Sequence, residues 1–180
     1  MRITTGKYRN RKLHMPPGIR PTQDKVRKAV FDILGDIEGL TFLEIFAGSG
    51  AVGFEALSRG ASELTLIESS HSAIVAIKRN IALLNASSCN LYHIEAEKAI
   101  NLLSRDKKSF DIIFIDPPYL KEMAKKILQS LEAYDILSPN GLIVVQHSKA
   151  ETLPGESLKY SLIKEAKYGD TWLSIFRKKE

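Results

Sequence analysis

Phe42-Leu43-Glu44-Ile45-Phe46-Ala47-Gly48-Ser49-Gly50-Ala51-Val52-Gly53 reads as a short apolar strand, a glycine turn and the first residues of a helix continuing through Glu55, Ala56 and Leu57. Gly48, Gly50 and Gly53 fall at the spacing of a nucleotide-binding strand-to-helix turn. Glu68 stands about 20 residues on, at the end of the apolar run Leu64 to Ile67. An acid at that place can grip the hydroxyls of a ribose. Small residues also serve close packing of helix on strand, but the strand before them and the acid after them favour a ligand turn.

The choice of ligand turns on Glu44. In a pyrophosphate site the backbone amides at the helix start face an anion. A carboxylate near the end of an otherwise apolar strand disfavours an anion and attracts a cation. An ammonium or sulfonium group suits it, and S-adenosylmethionine carries both, together with a ribose for Glu68. Phe46, Gly48 and Gly50 then line the cofactor turn.

Outward from that turn the chain alternates. Strands are predicted near 41–46, 63–68, 90–94, 110–115 and 141–146, with helical stretches near 50–58, 70–84, 96–103 and 122–133 between them. Such a rhythm gives an α/β fold, a mostly parallel sheet with helices on both faces. Thr22 can cap an earlier helix reaching Leu34, with Val26, Val30, Phe31 and Leu34 on one face. Ser157 to Ala166 and Thr171 to Phe176 flank Tyr168-Gly169-Asp170, which predicts a closing antiparallel hairpin. No internal repeat or low-complexity tract interrupts the pattern.

Asp116-Pro117-Pro118-Tyr119 follows the apolar run Phe110 to Ile115, at the strand end where open α/β sheets bind ligands. Two prolines fix φ and lack N–H groups, so a stiff turn can present the Asp116 carboxylate and the Pro117 carbonyl as two acceptors. Two aimed acceptors match a planar amino group with two hydrogens. Tyr119 adds a face on which a base can stack.

Charge is uneven. Residues 1 to 28 hold nine Lys or Arg against one acid, Asp24, a segment charge of +8, whereas the whole chain carries +5 and the remainder therefore −3. A basic arm on a mildly acidic body suits contact with nucleic-acid phosphates. Tyr8 lies between Lys7 and Arg9, and Ile3, Gly6 and Leu13 can support a hairpin. One cysteine, Cys89, excludes an internal disulfide, and four scattered histidines do not suggest a metal site. The charged N-terminus lacks the apolar core of a secretory signal. No apolar run approaches membrane-spanning length. A soluble, cytoplasmic, monomeric protein without a metal is expected.

These motifs together resemble class I S-adenosylmethionine-dependent methyltransferases, and among them the bacterial 16S ribosomal RNA (guanine-N2) methyltransferases. The resemblance runs from Arg2-Ile3 through Arg11-Lys12-Leu13, Arg20-Pro21-Thr22, Asp24, Val26-Arg27 and Phe31 to the two turns. The basic leader followed by Arg-Pro-Thr is its most specific part. The chain departs from the family pattern at Thr5 and Asn10, where glycines are usual, and at Gln146, where a glutamate is usual. The resemblance implies a Rossmann-like, seven-stranded sheet with an antiparallel C-terminal hairpin and a small basic N-terminal hairpin. It divides the chain into a leader at 1–21, which binds RNA through Arg2, Lys7, Arg9, Arg11, Lys12 and Arg20, and a methyltransferase domain at 22–180. Glu95, or alternatively Glu97, would accept a hydrogen bond from the adenine amino group. Asp116, Pro117 and Tyr119 would be the catalytic set, and the substrate guanine-966 in 16S ribosomal RNA of the small subunit.

Three other readings use parts of the same pattern. A nicotinamide-dependent oxidoreductase shares the glycine turn but leaves Asp116-Pro117-Pro118-Tyr119 and the leader without a role. A catalytically idle RNA-binding factor keeps the leader and fold but has no need of Asp116. A DNA adenine-N6 methyltransferase shares the Asp-Pro-Pro-Tyr turn, but the chain is short for an added DNA-recognition domain.

Overall fold

The computed structural model describes residues 1–18, 24–118, 122–155, 157 and 159–179. Thr22, the expected helix cap, and Arg20 and Tyr119 lie outside the described residues. Five helices and seven strands follow in the order α1 (Asp24–Leu34), β1 (Thr41–Ile45), α2 (Ala51–Ser58), β2 (Glu63–Glu68), α3 (His71–Leu84), β3 (Cys89–His93), α4 (Ala96–Arg105), β4 (Phe110–Ile115), α5 (Met123–Tyr134), β5 (Leu137–Ser148), β6 (Tyr160–Tyr168) and β7 (Thr171–Lys178). The sheet order is β3-β2-β1-β4-β5-β7-β6. The chain divides into two compact units, Met1–Glu95 and Ala96–Glu180.

In the first unit, β1 pairs in parallel with β2, and β2 with β3. Phe42, Leu43 and Ile45 of β1 and Leu64, Leu66 and Ile67 of β2 are buried, the continuous apolar pattern of strands covered on both faces. Phe31 of α1 stacks on Phe42 with ring centroids 6.4 Å apart. All eight residues of α2 are buried, so this helix has no solvent face. Part of its cover is the leader, which is folded: Arg2 bridges Lys12 antiparallel, and Ile3 and Leu13 are 1% and 3% exposed. The expected leader hairpin is thus a single bridge closed by a turn. Asn10 takes φ 68 there, a left-handed conformation that asparagine tolerates and that accounts for glycine being usual at this place.

In the second unit, β4 pairs in parallel with β5, β5 antiparallel with β7, and β7 antiparallel with β6. Ile112 to Ile115, Ile143 to Val145 and Leu173 to Phe176 form the buried sheet core, and α5 adds Ala124, Ile127, Leu128 and Leu131. The Tyr160 hydroxyl donates to the Leu131 carbonyl at 2.9 Å, tying β6 to α5. β5 is twice as long as the expected 141–146. Its first residues pair Leu137 with Phe110 before the register shifts and Leu142 meets Ile112. That shift accommodates Pro139, since a proline within a strand needs an irregularity where its missing N–H costs no ladder bond. The closing hairpin spans Tyr160–Tyr168 and Thr171–Lys178; its first strand lies a little later than the expected 157–166, and its second starts at the expected Thr171 and runs past Phe176.

Candidate active site

The glycine turn leaves β1 through three successive left-handed residues at alternate positions, Phe46 at φ 64, Gly48 at φ 58 and Gly50 at φ 74. A phenylalanine with positive φ is costly and persists where its surroundings over-determine it. The Ala47 amide donates to the Ile67 carbonyl at 3.0 Å and the Gly50 amide to the Ala47 carbonyl at 2.7 Å. These bonds hold the turn against β2.

Glu44 is 3% exposed, and its Oε2 accepts the Gly53 amide at 2.8 Å. A carboxylate therefore already occupies the amide end of α2, favourably with respect to the helix dipole. Gly53 is dictated by this contact: a Cβ there would stand 2.8 Å from Glu44 Oε2, 2.6 Å from Leu64 Cδ1 and 2.9 Å from Leu66 Cδ2. Glu68, half-buried, accepts the Gly48 amide on Oε2 at 2.7 Å and the Ser69 and Ser70 amides on Oε1 at 2.8 Å each. Three of about four carboxylate acceptor positions are thereby used, leaving roughly one for a ligand hydroxyl. Glu44, Phe46, Gly48, Gly50 and Glu68 thus gather around one turn. Glu95 is exposed at the end of the first unit, just after β3. The Ile94 amide, one residue before it, donates to the Glu68 carbonyl at 3.0 Å. Glu97 is exposed in the first turn of α4.

In the second unit Asp116 is half-buried, Pro117 buried and Pro118 exposed, directly beyond β4. Beside them on β5 lies Gln146, 5% exposed. Among the described residues its Oε1 has no hydrogen-bond partner. His147, next along the strand, is satisfied: Nε2 meets Ser174 Oγ at 2.8 Å and Nδ1 the Ser148 carbonyl at 3.0 Å.

Sequence reasoning missed the residues that hold the leader. Glu55, fully buried on α2, accepts the Thr4 amide at 2.8 Å, the Thr4 hydroxyl at 2.7 Å and the Thr5 amide at 3.1 Å. It also accepts Arg59 Nε at 3.1 Å and forms an ion pair with buried Arg27 at 3.7 Å. Arg27 Nη2 in turn donates to the Arg2 carbonyl at 2.6 Å. Ser58 donates its hydroxyl to the Thr5 carbonyl and accepts the Tyr8 amide at 2.8 Å, while its carbonyl accepts the Lys7 amide at 2.8 Å. Gly6 makes that approach possible, for at φ 79 a Cβ would lie 1.7 Å from the Ser58 carbonyl oxygen. Arg2, Lys7, Arg9, Arg11 and Lys12 are all exposed on this clamped segment. The signal for Glu55 and for buried Asn80 of α3 was a polar residue on an apolar helical stripe, as where Asn80 follows Ala73 and Ile77 and precedes Leu84. Among the described residues no cluster of His, Cys, Asp or Glu could hold a metal ion, and no helix is long and apolar enough to cross a membrane.

Sheet order, glycine turn and acid placement together define the class I methyltransferase fold. A profile of the family described as conserved hypothetical protein 95 matches residues 1–177. The chain is 33% identical to ribosomal RNA small subunit methyltransferase D of Escherichia coli K12, covering 99% of this chain and 90% of that one. A solved structure of yhhF, a candidate methyltransferase from Escherichia coli, superposes with a TM-score of 0.85 at 32% identity, over 99% of this chain and 98% of that one. SMU.776, a candidate methyltransferase solved with SAH, shares the fold at a TM-score of 0.70 and 21% identity, over 94% of this chain and 52% of that one. The chain belongs to the conserved hypothetical protein 95 family, together with relatives named ribosomal RNA small subunit methyltransferase D.

Proposed function

We propose that this protein transfers a methyl group from S-adenosylmethionine to the exocyclic N2 amine of a guanine in 16S ribosomal RNA of the small ribosomal subunit, guanine-966 in the numbering of that RNA. The observation that carries the cofactor assignment is the Glu44 carboxylate seated on the Gly53 amide at 2.8 Å. A pyrophosphate at the start of α2 would meet that negative charge, which disfavours a nicotinamide dinucleotide. A cationic amino acid moiety is attracted by it, and the remaining acceptor position on Glu68 suits a ribose hydroxyl. Glu95 is assigned to the adenine amino group.

S-adenosylmethionine, when bound, supplies the electrophilic sulfonium methyl. The amine is a poor nucleophile while its lone pair is delocalised into the base. Asp116 and the Pro117 carbonyl accept its two hydrogens, favouring a pyramidal nitrogen with its lone pair directed at the methyl. The new N–C bond forms as the S–C bond breaks, and the alkylated nitrogen then releases one proton, with Asp116 the nearest assigned acceptor. Orientation contributes most, since well-placed reactants gain roughly 7–11 kcal/mol over free encounter. Tyr119 is assigned to stacking on the base, which leaves its RNA stack to enter the site.

The leader, residues 1–21, is assigned to phosphate contact and residues 22–180 to catalysis. The support is the set of five cations, Arg2, Lys7, Arg9, Arg11 and Lys12, exposed on a segment fixed to α2. The protein acts in the cytoplasm as a monomer. Mass spectrometric mapping of small-subunit RNA from cells with and without the protein tests the reading. One N2-methylguanine present only with the protein is expected, and an unchanged modification map rejects it.

A further inference from the structure

The parallel register of β4 and β5 ends with Ile115 opposite Val145. The next residues along the two parallel strands are Asp116 and Gln146. Residues paired in this way project to the same face of a sheet, with backbones about 4.8 Å apart. Continued one residue past the end of β4, this register makes Gln146 the β5 neighbour of the acid assigned to the reacting amine. On its other side, β7 places Leu173 opposite it, a side chain with nothing to donate. Gln146 is 5% exposed, and among the described residues its Oε1 has no hydrogen-bond partner. Buried amide oxygens are nearly always paired, and one left unpaired calls for an explanation. A donor arriving with the substrate supplies one.

We propose that Gln146 is a specificity-determining residue that identifies the base by accepting the N1–H of guanine on Oε1. The proposal rests on the methyl-transfer reading above and extends it to base choice. Guanine carries N1–H and its 2-amino group side by side on one edge. When Asp116 and Pro117 hold the amino hydrogens, an acceptor on the adjoining strand falls next to the ring nitrogen. In guanine that nitrogen donates. In adenine the ring nitrogen beside the amino group carries a lone pair instead, and facing it toward Oε1 leaves two acceptors opposed in a buried place. The Asp-Pro-Pro turn recognises an amino group of either base. Gln146 separates them, because a site built to bond a donor rejects an analogue that lacks it.

The test compares guanine with 2-aminopurine, which retains the 2-amino group but has a lone pair in place of N1–H. Small-subunit particles are reconstituted with either base at the position that the wild-type protein methylates. The ratio of kcat/KM for the two bases is then measured for wild type and for Gln146→Met, which keeps the volume and removes the acceptor. Intrinsic differences in amine reactivity cancel between the two proteins. The expected result is that Gln146→Met narrows the preference for guanine by on the order of tenfold or more, through loss on guanine with 2-aminopurine little changed. Gln146→Glu, which keeps an acceptor oxygen, is expected to retain the preference. If Gln146→Met loses its cofactor affinity through misfolding, Gln146→Asn, which withdraws the amide by one methylene, replaces it with the same expectation. An equal loss on both bases overturns the proposal and leaves the methyl-transfer reading intact. Absence of guanine N2 methylation by wild type overturns both.

Discussion

Asn80 holds both backbone polar atoms of His14: its Oδ1 accepts the His14 amide at 2.7 Å and its Nδ2 donates to the His14 carbonyl at 3.0 Å. The same Nδ2 donates to the Ser49 carbonyl at 3.0 Å. Asn80 is fully buried. One amide on α3 therefore fastens the leader at His14 and the middle of the glycine turn together. Asn80→Ala leaves the His14 amide, the His14 carbonyl and the Ser49 carbonyl without that partner, at about 1–3 kcal/mol for each of them that stays buried and unpaired. The expected outcome is a lower Tm, weaker S-adenosylmethionine binding and faster hydrogen exchange at His14. Unchanged exchange and cofactor affinity would show that the bridge is not needed.

Glu68 has a comparable double role. Besides the ribose hydroxyl assigned to it, it gathers the Gly48, Ser69 and Ser70 amides. Glu68→Ala should weaken cofactor binding by more than the ~1.5–3 kcal/mol of one charged hydrogen bond, because the turn loses its anchor as well. Glu68→Gln keeps an acceptor for part of this set and should fall between. Calorimetry on the three proteins gives the order, and equal affinities contradict the assignment.

The turn and the strands around it were legible because each signal is local. Phe42 to Ile45, Leu64 to Ile67 and Ile112 to Ile115 are short apolar runs whose burial needs no knowledge of distant residues. The beginning of β5 was not. Ser138-Pro139-Asn140-Gly141 has the composition of a turn, and only pairing of Leu137 with Phe110 makes it part of a strand. The leader's mode of attachment was hidden for a similar reason. Thr4, Thr5 and Gly6 give no sign in sequence of Glu55 and Ser58 some fifty residues away, and the excess of Lys and Arg drew attention to the exposed side. The roles proposed for Asp116 and Pro117 rest on chemistry that the tetrapeptide spells out by itself. The role proposed for Gln146 required knowing that its oxygen lacks a partner among the described residues.

Asp116→Ala should separate chemistry from binding. Asp116 touches the reacting amine in the proposed mechanism, whereas the cofactor residues Glu44 and Glu68 belong to other strands. Methyl transfer should fall by about 100-fold or more, with cofactor affinity retained. Single-turnover transfer to small-subunit particles reads the first quantity and calorimetry the second. Near-wild-type transfer by this variant would remove Asp116 from the mechanism.

Cys89 offers a pH test of the first unit. Burial, with a smaller contribution from the Glu44 charge, raises its thiol from 9.0 to about 12. The folded value lies above the unfolded one, so the unfolded chain gives up this proton first. The corresponding stability is complete below pH 9.0 and declines as pH rises toward about 12. Alkylation by iodoacetamide at pH 8 should be slower in the native protein than in urea, because the thiolate is the reactive form. Mass spectrometry of the alkylated fraction with time gives both rates. Comparable rates would contradict a shielded thiol.

The leader is best tested by charge and not by truncation. Removing residues 1–13 would strip Ile3 and Leu13 from the core and leave Glu55 without Thr4 and Thr5, so lost activity would report lost packing. Lys7, Arg9 and Arg11 are exposed, and among the described residues none of them forms a salt bridge. Replacing all three by Gln should leave Tm and cofactor affinity nearly unchanged. If they contact phosphates, the slope of log affinity for small-subunit particles against log salt should decrease in magnitude by about 2–3, close to one counterion for each contact. Gly6→Ala supplies the opposite case. It keeps every charge but drives a Cβ into the Ser58 carbonyl, releasing the segment from α2. A fixed array of cations predicts weaker RNA binding in both variants, with destabilisation only in Gly6→Ala. A salt slope unaltered by the triple substitution would take the leader out of RNA recognition and leave its role as cover for α2.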